Sequence, residues 1–202
     1  MDFYKLTLIL HAIFGSTALF SGFLAIVSKK AQRFHILTGK IYAGAMFGVI
    51  ISAWVASYFK LNLFLILIGL FAFYLVIRGL RSTRIKSLKP TIIDWVLLAM
   101  GFATSVYMIS TFNLILLVFG IIFLILLSGD LQIFIKIKKG KSIHPKEWLA
   151  SHLGMMLGSY IAALTAFIVI NIEYDPLPWL PWILPSLILT PLIFIYTRKT
   201  KD

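Results

Sequence analysis

The chain has 202 residues, of which 60% are hydrophobic and only 13% are charged, so the composition excludes a sizeable soluble domain. It contains no cysteine, which excludes disulfides, iron–sulfur clusters and thiolate metal sites. The net charge of +12 would favour nucleic acid as the partner of a soluble protein. Here the cations flank apolar runs, so we expect an anionic inner leaflet as the partner and no nucleic acid.

Apolar runs follow one another along the whole chain. A helix needs about 20 apolar residues to cross the hydrocarbon core of a bilayer. By this measure the predicted spans lie near 6–27, 36–58, 61–78, 92–110, 113–131, 147–171 and 178–197. The sequence therefore predicts an all-α fold, an integral membrane bundle of seven transmembrane helices that forms a single domain over residues 1–202.

The cations occupy alternate gaps between these spans. Four clusters hold 17 of the 19 Lys and Arg residues. They are Lys29, Lys30, Arg33 and Lys40; Arg78, Arg81, Arg84, Lys86 and Lys89; Lys136, Lys138, Lys139, Lys141 and Lys146; and Arg198, Lys199 and Lys201. Because cytoplasmic loops retain Lys and Arg, this pattern predicts an outside N-terminus and a cytoplasmic C-terminus.

Span one carries His11 in its outer half. Its helical face continues through Gly15, Ala18, Gly22 and Ala25, which form a stripe of small residues. Such a stripe lets a second helix, or a flat cofactor, approach the backbone closely. Both interpretations stay open, with His11 either bonded to a neighbouring helix or ligating a cofactor.

Span two opens with His35 at the cytoplasmic interface, on one face with Gly39 and Tyr42. Arg33 and Lys40 flank it. This cationic rim suits an anionic group such as a haem propionate, a lipid phosphate or a carboxylate. The alternative is an interfacial histidine among cations that extend towards water.

Span six carries His152, with Met156 one turn later on the same face. A His and a Met together can bind copper or serve as axial haem ligands. Gly154 and Gly158 form a G-x-x-x-G pattern, which is a helix-packing signal. His144 precedes a proline in the Lys-rich loop before this span, where we expect it to be solvated.

Two aspartates lie at the cytoplasmic ends of spans four and five, Asp94 and Asp130, and Arg78 and Arg81 end span three at the same level. Ionisable groups inside a membrane are expensive and are candidate functional residues. The four residues predict either an ion-pair network that ties helix ends together, or a proton path and supporting carboxylates for a histidine site.

Two stretches resemble a known family. One is HAIFG at 11–15, continuing to Lys30 and on to His35, Gly39, Lys40 and Tyr42; the other is HLGMM at 152–156, continuing through SYIAALTAF at 159–167. Over spans one, two and six the chain resembles an uncharacterised family of small bacterial multi-pass membrane proteins. The resemblance implies a location in the bacterial inner (cytoplasmic) membrane and implies no reaction.

The leading hypothesis is a membrane protein that binds haem b, or another redox cofactor, for electron transfer. His35 and His152 are the expected ligand pair. The helical rise gives them depths that differ by only roughly 6–9 Å, which is close enough for both to ligate one haem. His11 and His152 would differ by about 18 Å on the same basis, which disfavours that pair. His11 is the only histidine of the outer half, so one haem is the maximum.

Two alternatives stay open. The first is a zinc-dependent membrane hydrolase in which His35, His152 and either Asp94 or Asp130 hold the metal. Seven-helix ceramidases and adiponectin receptors have such a site, but they need histidines in the last span, and here it has none. The second is a non-enzymatic transporter, small-molecule binder or accessory subunit of a membrane complex, with a partner subunit of that complex or a second copy of the chain as the expected protein partner.

Overall fold

The computed structural model describes residues 2–172, 175–177 and 179–201, with side chains as far as Arg198. This part of the chain forms helices and no strand. The helices are α1 (Phe3–Val27), α2 (Arg33–Lys60), α3 (Leu63–Arg84), α4 (Ile92–Ser110), α5 (Leu114–Lys138), α6 (Glu147–Asn171) and α7 (Leu180–Lys201). All seven are long and apolar enough to cross a membrane, which confirms the predicted all-helical architecture. Residue 178, the predicted start of the last span, and the Lys199 and Lys201 side chains lie outside the described part.

Two helices extend well past the predicted spans. The prediction ended span three at residue 78 and span five at residue 131, whereas α3 continues to Arg84 and α5 to Lys138. Hydropathy detects only the apolar part of a helix. Arg and Lys are good helix formers, and their charges favour the C-terminal end of the helix dipole. The basic ends of α3 and α5 therefore stay helical after the apolar run has stopped.

The chain divides into two compact units. The N-terminal unit comprises Met1–Asn62 and Met156–Ile195, and the central unit comprises Leu63–Met155 and Tyr196–Asp202. In the N-terminal unit α1 and α2 form an antiparallel hairpin. Lys30 closes its connection by donating to the carbonyl oxygen of Ala25 at 3.1 Å. Burial of this ammonium group lowers the pKa of Lys30.

Close packing in the N-terminal unit depends on Gly22. A Cβ atom at Gly22 would lie 2.6 Å from the Tyr160 ring and 2.8 Å from the Tyr42 ring. The hydroxyl of Tyr160 donates to the Leu19 carbonyl at 3.3 Å, and the hydroxyls of Tyr42 and Ser159 are 2.7 Å apart. At this point the stripe of small residues therefore accommodates two tyrosine rings of its own chain.

The central unit is organised around α3, α4 and α5. The Ser105 hydroxyl donates to the Gly120 carbonyl at 2.8 Å, a bond that only a close α4–α5 approach permits. Asn113 caps α5 by accepting from the backbone N–H groups of Ile115 and Leu116 at 3.1 and 3.2 Å. These contacts join α4 to α5 and fix the start of α5.

Candidate functional site

A buried ion-pair network occupies the central unit, with Arg78 at its centre. Arg78 is only 2% exposed. Its Nε and Nη2 atoms donate to the two carboxylate oxygens of Asp130, each at 2.8 Å, and its Nη1 donates to Asp94 at 3.2 Å. The hydroxyl of Tyr74 donates to Asp130 at 2.5 Å. The ring of Phe134 lies beneath the guanidinium, with 5.0 Å between its centroid and Cζ.

Asp94 accepts the remaining hydrogen bonds of the network. Arg81 donates to its two oxygens through Nε at 2.8 Å and Nη2 at 2.6 Å. The backbone N–H and the hydroxyl of Thr91 both donate to it at 2.8 Å, and the backbone bond is one half of the capping box of α4. Every buried side-chain polar atom in the described residues has a hydrogen-bond partner.

The network joins α3, α4 and α5 with two arginines and two aspartates, so its formal charges cancel. Charges taken out of water are tolerated only when they are paired and hydrogen-bonded. The structure thus brings Arg78, Arg81, Asp94 and Asp130 into one cluster, as the ion-pair interpretation expected. Its geometry fits a structural connection between helices.

Each of the three helical histidines directs Nδ1 to a backbone carbonyl of another helix. The Nδ1 atom lies 3.1 Å from the Val49 oxygen in His11, 3.0 Å from the Ala25 oxygen in His35 and 2.8 Å from the Gly79 oxygen in His152. A carbonyl oxygen only accepts, so Nδ1 carries the hydrogen. In the neutral ring the lone pair then resides on Nε2.

The histidines occupy different places. His11 and His35 lie towards opposite ends of the α1–α2 hairpin, since the carbonyl that binds His35 is about 21 Å along α1 from His11 by the helical rise. One metal ion cannot take both. His152 belongs to the central unit, and its carbonyl partner, Gly79, directly follows Arg78. The pairing of His35 with His152 stays a prediction.

The other predicted cofactor residues have mixed surroundings. Arg33 and Lys40 are exposed near His35. Tyr42 is 3% exposed and is committed to packing through its ring and hydroxyl. Met156 is half-buried in the N-terminal unit. The arrangement leaves Arg33 and Lys40 accessible to an anionic group and makes Tyr42 a structural residue.

The carboxylates have little capacity for a metal. No group of three or more His, Asp or Glu within the described ranges is placed to hold one. Both oxygens of Asp94 and both of Asp130 already accept bonds from arginine. A metal ion at either aspartate would have to displace a guanidinium.

A cleft of about 350 Å³ opens in the central unit beside the α5–α6 connection. Its walls come from α5, the first turns of α6 and the end of α7. They comprise Ile125, Leu126, Gly129, Asp130, Ile133, Glu147, Ala150, Ser151, Gly154, Met155, Thr197 and Arg198. Asp130 thus has one side on the ion-pair network and another on the cleft.

Sequence reasoning missed Tyr74 and the cleft. Tyr74 lies four residues before Arg78 on α3, which places both on one helical face, and this spacing was the available signal. The cleft has no signal in the sequence, because its lining comes from three separate helices.

No protein-family model matches this chain, and neither a curated protein nor a solved structure is significantly similar to it. Function is therefore inferred from the chemistry of the side chains. The resemblance to small bacterial multi-pass proteins stays a prediction.

Proposed function

We propose that the chain is a multi-pass protein of a bacterial inner membrane that binds haem b, or a related redox cofactor, through His35 and His152 for electron transfer. The observation that carries the proposal is the bond from each Nδ1 to a backbone carbonyl, at 3.0 Å in His35 and 2.8 Å in His152. It fixes the ring orientation and gives the neutral ring the tautomer with its lone pair on Nε2.

Histidines that ligate metals almost always donate their other ring N–H to a carbonyl or carboxylate. That contact prevents ring rotation and makes the ligating nitrogen more basic. Arg33 and Lys40, exposed near His35, suit the propionates through charge-assisted hydrogen bonds. When bound, the haem supplies a one-electron carrier within the membrane. The protein supplies the ligands, the orientation and the surrounding charge.

The zinc and copper alternatives use the same histidines. Copper would take His152 with Met156, and zinc would add Asp94 or Asp130. Each aspartate already holds an arginine at hydrogen-bond distance, so the zinc-hydrolase alternative needs a rearrangement that the haem proposal does not. For this reason haem is preferred.

The haem test is a visible absorption spectrum of detergent-purified protein, oxidised and dithionite-reduced, with metal analysis of the same sample. We expect a Soret band with sharp reduced α and β bands, lost in His35→Ala and His152→Ala. His144→Ala is the matched control, because His144 is an exposed loop histidine. A featureless spectrum from cells supplied with haem would refute the proposal, and stoichiometric zinc would favour the hydrolase.

The proposed orientation is outside for the N-terminus and cytoplasmic for the C-terminus, and the alternate basic connections support it. The chain has no cysteine, so single cysteines can be introduced without a background. Ser87 and Ser110 are exposed and flank α4 at its two ends. A membrane-impermeant maleimide added to spheroplasts should label Ser110→Cys and spare Ser87→Cys. The reverse pattern would invert the orientation.

A further inference from the structure

We propose that the cleft of the central unit binds one anionic phospholipid, with its phosphate at Arg198 and part of an acyl chain along the apolar wall. This inference rests on the membrane insertion proposed above and is independent of haem. Small-molecule pockets have volumes of about 300–1,000 Å³. A cleft of about 350 Å³ therefore accommodates a head group and a short stretch of chain, and the rest of the lipid stays in the bilayer.

Arg198 supplies the head-group site at the rim of the cleft. Its side chain is exposed, and no hydrogen bond or ion pair links it to any other described residue. A guanidinium binds phosphate through two parallel N–H donors. Asp130 also borders the cleft, but Arg78 and Tyr74 already neutralise and hydrogen-bond its carboxylate. It therefore presents little net charge to a bound anion.

The surroundings select an anion over a zwitterion. Among the described residues of the lining, Glu147 is the only carboxylate besides Asp130. The adjoining end of α5 and its connection to α6 carry five exposed lysines, which are Lys136, Lys138, Lys139, Lys141 and Lys146. Basic clusters beside a membrane-spanning helix attract anionic lipids. The charge around the cleft is thus complementary to a phosphate head group.

The remaining lining suits an acyl chain. Ile125, Ile133 and Met155 give an apolar wall. Two glycines leave space between them, since a Cβ atom added at Gly129 or Gly154 would meet nothing within 4 Å. A hydrocarbon chain can therefore lie against the helix backbones at these two positions. An inorganic anion would use only the Arg198 end.

The test is native mass spectrometry of the detergent-purified protein, titrated with phosphatidylglycerol and with phosphatidylcholine of the same acyl chains. We expect phosphatidylglycerol to bind about tenfold more tightly, the usual size of one charge-assisted interaction. Arg198→Met should weaken phosphatidylglycerol and reduce that preference, and the remaining preference should come from the neighbouring lysines. Gly154→Leu should fill the cleft and weaken both lipids, whereas Gly44→Leu, at a helical glycine of the N-terminal unit with equally open space, should change neither.

Several outcomes overturn the proposal. Equal binding of the two lipids, or an unchanged preference in Arg198→Met, removes the head-group site. An equal effect of the two leucine variants shows that the bound lipid is general bilayer lipid. Displacement of phosphatidylglycerol by millimolar inorganic phosphate shows a site for free anions. Release of the protein from membranes by alkaline carbonate overturns the insertion itself, separately from any lipid result.

Discussion

Replacing Arg78 by methionine should destabilise the protein more than any other single change in the network. The side chain makes three hydrogen bonds to two buried carboxylates. Asp94 keeps Arg81 and Thr91 in the variant, but Asp130 keeps only the Tyr74 hydroxyl. One negative charge then lies uncompensated among groups that are 3% exposed or less.

Two independent estimates give a similar magnitude for this loss. Breaking a buried ion pair by removing one partner costs about 3–5 kcal/mol. A single charge in a membrane helix costs up to about 2.5–3.5 kcal/mol on insertion scales, which is the value for the helix centre. We therefore expect Arg78→Met to lower the free energy of unfolding by about 3 kcal/mol.

The assay is unfolding in mixed micelles with increasing dodecyl sulfate, followed by the fluorescence of the five tryptophans. Arg84→Met is the control, because Arg84 is an exposed arginine on the same helix. The double variant Arg78→Met/Asp130→Leu should recover at least half of the loss, since it removes the orphaned charge. If Arg78→Met falls within about 0.5 kcal/mol of Arg84→Met, the usual scatter of surface changes, the reasoning is wrong.

Three further changes use the same titration. Gly22→Ala would press a Cβ onto the Tyr42 ring at 2.8 Å and should cost about 1–3 kcal/mol, whereas Gly44→Ala meets open space and should be neutral or stabilising; equal effects would contradict the packing. Tyr42→Phe and Ser159→Ala should each lower the free energy of unfolding by about 0.6 kcal/mol, the average for a hydrogen bond in a membrane protein. The double variant should lose less than the sum of the two single losses, and a loss equal to that sum would mean that the bond contributes nothing. Asn113→Ala should cost about 1 kcal/mol and accelerate amide exchange in the first turn of α5, and unchanged exchange would count against the cap.

The helices were predictable because a bilayer imposes one length and one polarity on every span. The apolar runs before Arg78 and before Lys136 are each long enough to cross the hydrocarbon core as a helix. The positions of these helices therefore follow from composition. The ends were less predictable. Basic residues after a span satisfy the positive-inside pattern whether or not they are helical, and only the structure shows that α3 and α5 continue through them.

The sequence indicated which charged residues form the ion-pair network, but not which of them bind each other. Asp94 and Asp130 needed cationic partners, because an unpaired buried carboxylate is too costly. The sequence could not show that Arg78 serves both, or that Tyr74 adds a third donor to Asp130. These facts depend on helix rotation, which hydropathy leaves undetermined. The Tyr74–Arg78 spacing of four residues was the one local hint.

The sequence also left the orientation of the histidine rings undetermined, and this orientation bears on function. Their positions on the chain predicted depth, yet depth alone cannot distinguish a ligand from a packed polar residue. The structure adds the orientation of each ring, since the Nδ1 atoms of His11, His35 and His152 all lie against a carbonyl of another helix. Packing could have used either nitrogen at each position. The same contact serves a packed histidine and a ligand, as His11 shows, so the haem spectrum is a more decisive experiment for function than any measurement of stability.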